Sequence, residues 1–131
     1  MNTAINQYPE FCCGPRIDFA GAIEQVLPKL LDAQAAASPD ATALQDIRLQ
    51  WSYREFTALA NQLSHYLIGL GVSPNTLVGI FLDRSFEMVL ALHAVIRAGA
   101  AYLPLEPGTP PLRLESMLND AKPTVILTLK R

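Results

Sequence analysis

Charge is scarce in this chain of 131 residues, at 17% Asp, Glu, Lys and Arg, and so are the side chains that usually mark a reaction. The only two cysteines are neighbours, Cys12 and Cys13. Adjacent thiols cannot close an ordinary structural loop, and they do not supply half of a zinc site at CxxC spacing. They read as a reduced pair in an N-terminal leader, with redox sensing as the alternative. Seven glycines are present, and none falls into GxGxxG or GxxxxGK[ST], the arrangements that aim backbone N–H groups at phosphates. HExxH, CxxC and a nucleophile elbow are missing too, so no reaction can be read from motif chemistry alone. The formal charge is -2 and no face gathers Lys and Arg, which excludes a nucleic-acid footprint. No apolar run reaches the roughly 18 residues that span a bilayer. The opening Met1-Asn2-Thr3-Ala4-Ile5-Asn6-Gln7 has neither the basic start nor the apolar core of a secretory signal, so a cytoplasmic protein without a membrane partner is expected.

Half of the residues are apolar, enough for one compact core. Residues 1–21 carry no periodicity and read as an irregular arm; residues 22–131 read as the folded part. A helix is expected over about 28–37, with Leu27, Leu30, Leu31 and Ala35 at helical spacing, Pro28 in its first turn and Ser38-Pro39-Asp40 closing it. Ala41–Gln45 and Leu49–Trp51 suit a hairpin across Asp46-Ile47-Arg48. Ser52 with Glu55 forms a capping box at the start of the next helix. Phe56, Leu59, Ala60, Leu63, Tyr66, Leu67 and Leu70 line one face of that helix, which ends at Gly69 or Gly71.

Leu77–Leu82 is a continuous apolar run, the pattern of a central parallel strand covered on both faces. A helix from Ser85 to Ala98 is apolar nearly all round and is expected to be the more deeply buried of the two. A short strand at Ala101–Leu103, a proline-rich loop from Pro104 to Pro111, a helix carrying Leu114, Met117, Leu118 and Ala121, and a strand at Thr124–Leu129 complete the pattern. The fold class is therefore α/β, a doubly wound and mostly parallel sheet flanked by helices, with right-handed crossovers.

Asp83-Arg84-Ser85-Phe86-Glu87 lies at the strand-to-helix turn where open α/β sheets bind ligands. Its plainer reading is a helix start, with Ser85 as N-cap and acidic neighbours complementing the dipole. His93 lies among apolar residues, and His65 on a less apolar side beside Ser64. Neither has a second ligand at metal spacing, so both read as structural. No catalytic, cofactor-binding or metal-binding residue is assigned.

Trp51-Ser52-Tyr53-Arg54-Glu55-Phe56 resembles the first core motif of the amino-acid-activating adenylation domains of nonribosomal peptide synthetases. Ile96 through Pro107, with Arg97-Ala98-Gly99-Ala100-Ala101-Tyr102 at its centre, resembles the second. Ser38-Pro39-Asp40-Ala41, Gly71-Val72-Ser73-Pro74, Asp83 to Glu87, Pro110-Pro111-Leu112-Arg113-Leu114 and Met117 to Ala121 extend the likeness over about residues 25–129. Phe56 stands where Leu is usual, Glu106 where Asp is, Thr109 where an aromatic is common, Leu112 where Glu is common, and Asn75-Thr76 where Gly-Asp is.

The resemblance implies a partial N-terminal subdomain of the adenylate-forming enzyme fold, residues 22–131 being a truncated N-terminal portion of the AMP-binding domain. It implies a parent reaction in which an amino acid and ATP give aminoacyl-AMP and pyrophosphate, followed by transfer to a carrier-protein thiol. ATP and Mg belong to that full-length enzyme. The family's Ser/Thr/Gly-rich phosphate loop, its aminoacyl pocket and its catalytic lysine match no position here, so the chain is expected to be inactive alone. Two alternatives stand beside this reading. One is an interaction module that completes a separately encoded remainder, or pairs with itself through the apolar edge at Thr124–Leu129. The other is a fragment of an acyl-coenzyme A ligase.

Overall fold

The structure is a computed structural model that describes residues 26–47 and 49–129. The expected arm at 1–21, the Cys12–Cys13 pair and Arg48 of the hairpin turn lie outside the described residues. Nine elements follow in order among those described: α1 (Leu27–Ala37), β1 (Thr42–Gln45), β2 (Gln50–Ser52), α2 (Tyr53–Gly69), β3 (Leu77–Phe81), α3 (Phe86–Arg97), β4 (Ala101–Leu105), α4 (Pro111–Ala121) and β5 (Val125–Thr128). None of the helices is long and apolar enough to cross a membrane.

β1 and β2 form an antiparallel pair with a register shift between Thr42 and Leu44. The larger sheet is parallel, in the order β4-β3-β5, which puts the apolar strand β3 at the centre as its composition requires. Val78 and Ile80, with Val125 and Leu127 beside them, belong to the main core together with Leu67, Val72, Ala91, Ala94 and Val95 from α2, α3 and their connections. Alternation sends Leu77, Gly79 and Phe81 to the opposite face, where Gly79 lies between Leu103 of β4 and Ile126 of β5. A Cβ on Gly79 would meet Ile126 and Leu105 side-chain carbons at 3.2 Å. Glycine there lets both side chains lie across the strand.

The capping box at α2 is present as expected: the Ser52 N–H and hydroxyl both donate to Glu55 Oε2 at 2.8 Å, and the Glu55 N–H donates to Ser52 Oγ. The two inner helices end alike. After α2, Gly71 at φ 91° gives its N–H to Ile68 O and Val72 gives its N–H to Leu67 O; after α3, Gly99 at φ 81° and Ala100 bond Ile96 O and Val95 O in the same way. This pair of bonds is the Schellman arrangement, and the apolar residue after each glycine returns to the core beside the helix's last buried turn. Asn75 also has a positive φ of 70°, which asparagine tolerates. Thr76 Oγ1 accepts from the Ser73 N–H at 3.0 Å and donates to Ser73 O at 2.6 Å, so this pair closes the turn by itself.

Three expectations need correction. β4 continues through Pro104 to Leu105, two residues beyond its expected end. The Ala101 N–H donates to Thr76 O, so by alternation the Pro104 nitrogen faces away from β3, at an edge where no donor is required. Tyr66 and Leu70 are exposed, while Ser64 is buried, because the face of α2 that meets α3 and the sheet runs through Phe56, Ala60, Ser64 and Leu67. Leu27 and Leu30 of α1 are exposed as well, and only Leu31 and Ala35 of its expected stripe are partly covered. A contact that no local pattern announces joins α1 to α3 by charge: Arg97 Nη2 and Nη1 donate to Asp32 at 2.7 and 3.1 Å, with the Arg97 side chain only 14% exposed.

Candidate functional site

Because the chain runs from β3 to β4 on one side and then returns from β4 across β3 to β5 on the other, the carboxyl end of β3 is the point where strand order reverses, the usual ligand crevice of such sheets. Two hollows open there. One, of about 570 Å³, lies between the ends of β3 and β4 on a floor of Ile80, Leu82, Met88 and Leu105, with Asp83, Arg84 and Glu106 at its rim. The other, of about 310 Å³, lies between the ends of β3 and β5, lined by Phe81, Leu82, Asp83, Pro107, Thr128 and Leu129. Leu82, Asp83 and Pro107 line both.

Ser85, the centre of the sequence-predicted turn, acts as a cap: its Oγ accepts from the Met88 N–H at 3.2 Å, and Glu87 lies in the first helical turn. Asp83 and Arg84 line the first hollow, and Arg84 also reaches a third of about 210 Å³ between the hairpin and the start of α3. Phe86 fixes that start by meeting Trp51 edge-on, ring centroids 4.8 Å apart. His93 donates from Nδ1 to Val89 O at 2.8 Å and packs edge-on against Phe56 at 5.0 Å, which accounts for it structurally. His65 is exposed on the outer side of α2.

The titration of Glu55 departs clearly from the ordinary value. The Ser52 backbone N–H, then its hydroxyl, hold the carboxyl below the usual carboxylate range. That perturbation belongs to a helix cap and marks no catalytic group.

The donor set at the strand ends does not match a metal–triphosphate. Two carboxylates, Asp83 and Glu106, stand against one guanidinium, Arg84, and the turn offers no glycine-rich run of backbone N–H groups. Among the described residues no cluster of three His, Cys, Asp or Glu is placed to hold a metal ion. The sequence had placed Asp83, Arg84 and Ser85 at this end, and Met88 follows them in the first turn of α3; Leu105 and Glu106 join them only through the parallel register, which pairs Phe81 with Leu105.

The profile of the family described as AMP-binding enzyme matches residues 31–131. Enterobactin synthase component F of Escherichia coli O157:H7 is 47% identical over 105 residues, covering 80% of this chain and 8% of that protein. Phosphinothricin tripeptide synthetase PhsB of Streptomyces viridochromogenes is 45% identical over 106 residues, covering 80% and 9%. Among solved structures, the nonribosomal peptide synthetase FmoA3, in a form bound to alpha-methyl-L-serine-AMP, superposes with a TM-score of 0.77 at 32% identity, over 82% of this chain and 12% of that one. VinN in complex with L-aspartate gives a TM-score of 0.76 at 26% identity, over 82% and 28%. The chain thus spans less than a tenth of the length of both curated relatives.

Proposed function

The chain belongs to the AMP-binding enzyme family, as the N-terminal part of a nonribosomal peptide synthetase adenylation domain, and from that premise we propose that its 131 residues are scaffold and hold no nucleotide by themselves. The parent reaction is attack of an amino-acid carboxylate on the α-phosphorus of ATP, with release of pyrophosphate. A carrier-protein thiol then attacks the aminoacyl carbonyl of the aminoacyl-AMP, forming a thioester and releasing AMP. In that reaction the present residues orient and support. β3, β4 and α3 form a stiff wedge whose carboxyl-end hollows face the remainder of the domain, and the Gly99–Pro107 segment sets where β4 leaves the sheet. The cytoplasm, where ATP and carrier proteins meet, is the setting proposed for it.

The observation that carries this reading is the rim chemistry at the strand ends: Asp83 and Glu106 outnumber Arg84 where a triphosphate would need cationic and N–H donors. Amino-acid-dependent ATP–pyrophosphate exchange tests it. The purified chain is expected to give no exchange above the protein-free blank with any of the twenty amino acids; exchange that saturates with one of them would refute the proposal.

A further inference from the structure

α1 is built unlike the two helices it lies against. α2 starts in the Ser52–Glu55 box and α3 in the Ser85 cap, and each buries four residues. α1 starts after Val26, whose side chain can accept no hydrogen bond, and its first turn carries Lys29 where the helix dipole favours an acid. It spans 11 residues and buries none of them; Pro28, Leu31 and Ala35, which share one face at helical spacing, are partly covered. A helix so short and so poorly capped does not hold in water by itself. Its order therefore comes from docking on α2 and α3.

Two attachments of different kinds hold it there. Just past its carboxyl end the chain is tied to the start of α2 through the backbone, where the Arg54 N–H donates to Pro39 O at 2.9 Å and the Tyr53 N–H to Ala41 O at 3.0 Å. Nearer its middle, the Asp32 carboxylate accepts both Nη groups of Arg97. The partners of that pair stand to lose unequally, because the Asp32 side chain is 49% exposed and that of Arg97 14%. Without the carboxylate, a mostly covered guanidinium is left unpaired, and its desolvation adds to the lost bonds. No residue of α1 contributes to the main core, which Leu67, Val72, Val78, Ile80, Ala94 and Val95 close without it.

We propose that α1 is a strap that opens on the Ser38–Pro39 connection, is held shut by the Asp32–Arg97 pair, and melts as it lifts while the sheet, α2 and α3 stay folded. Lifting α1 returns the Arg97 guanidinium to water. The same residue is thus a clasp while paired and a wedge once its partner is gone.

Amide hydrogen exchange of the full 131-residue chain tests this at Ala35, Ala36 and Ala37, which lie far enough from residue 32 to keep their intrinsic rates. In the unsubstituted chain these amides are expected to exchange about tenfold or more faster than those of Val78–Ile80. Asp32→Ala is expected to speed them by about a further tenfold and to leave Val78–Ile80 within about twofold, although alanine is the better helix former. Adding Arg97→Met to Asp32→Ala removes the stranded charge, and is expected to slow α1 exchange again by about threefold or more. Equal protection of α1 and Val78–Ile80 in the unsubstituted chain would make α1 part of the core and overturn the proposal. So would an Asp32→Ala chain in which α1 exchange is unchanged or rises no more than that of Val78–Ile80. A double variant as open as Asp32→Ala alone would contradict the wedge.

Discussion

The two faces of one three-stranded sheet are finished to different degrees. On the α2–α3 side, Val78, Ile80, Leu67, Val72, Ala94 and Val95 form a closed core, and α3 exposes only Glu87 along its whole length. On the other side, α4 has no buried residue, Ile126 is exposed, and Leu112 is 83% accessible. The same strands supply both faces, so strand propensity does not explain the contrast. It lies in what packs on each face: two helices with matching Schellman ends on one, a single loosely laid helix on the other. A face left with accessible apolar side chains at the carboxyl ends of its strands is one made to be covered.

The comparison breaks most readily at matched leucines. Leu67→Ala, in the closed core, is expected to destabilise the fold by about 2–5 kcal/mol, whereas Leu118→Ala, in α4, is expected to cost about 1 kcal/mol or less. Urea unfolding of both variants checks the pair, and equal costs would mean that the second face is also a core. Gly79→Ala comes next. Its new methyl group falls 3.2 Å from Ile126 and Leu105, so a loss of about 1–2 kcal/mol is expected, with recovery in the Gly79→Ala, Ile126→Ala double variant. No recovery would place the strain in the backbone.

The helix caps sharpen the contrast within the closed side. Ser85→Ala is expected to cost about 1 kcal/mol, read as a lower melting temperature. The α2 cap adds pH dependence, because Glu55 has a folded-state pKa depressed by Ser52. A depressed carboxyl contributes stability above its unfolded-state value and loses it as pH falls through the folded-state value. Amide exchange at Glu55, corrected for its intrinsic pH dependence, should therefore lose protection below about pH 4. Ser52→Ala should flatten that profile.

Much of this was legible in the chain itself. The Ser52–Glu55 box, the Ser85 cap, the glycine stops and the central apolar strand each follow from local rules, because the groups involved lie within a few residues of one another. The hairpin held for the same reason, and the parallel sheet was legible from the alternation of strands with helices rather than from local contacts. What escaped depended on distant partners. Nothing near Arg97 announces that it will bind Asp32, and the exposure of Tyr66 and Leu70 depends on which side of α2 meets α3. Pro104 reads as a strand breaker until its nitrogen is known to face the edge. At the candidate site, the turn carrying Asp83, Arg84 and Ser85 was readable, whereas Leu105 and Glu106 are brought there by parallel register alone.

Residue-resolved amide hydrogen exchange of the 131-residue chain, with and without magnesium–ATP, tests the central claim most directly. Val78–Ile80 and the middle of α3 should exchange only by global unfolding, α4 should exchange well before them, and nucleotide should change neither. Equal protection of α4 and α3, or nucleotide-dependent protection at Asp83–Ser85, would contradict a half-finished scaffold that holds no ATP.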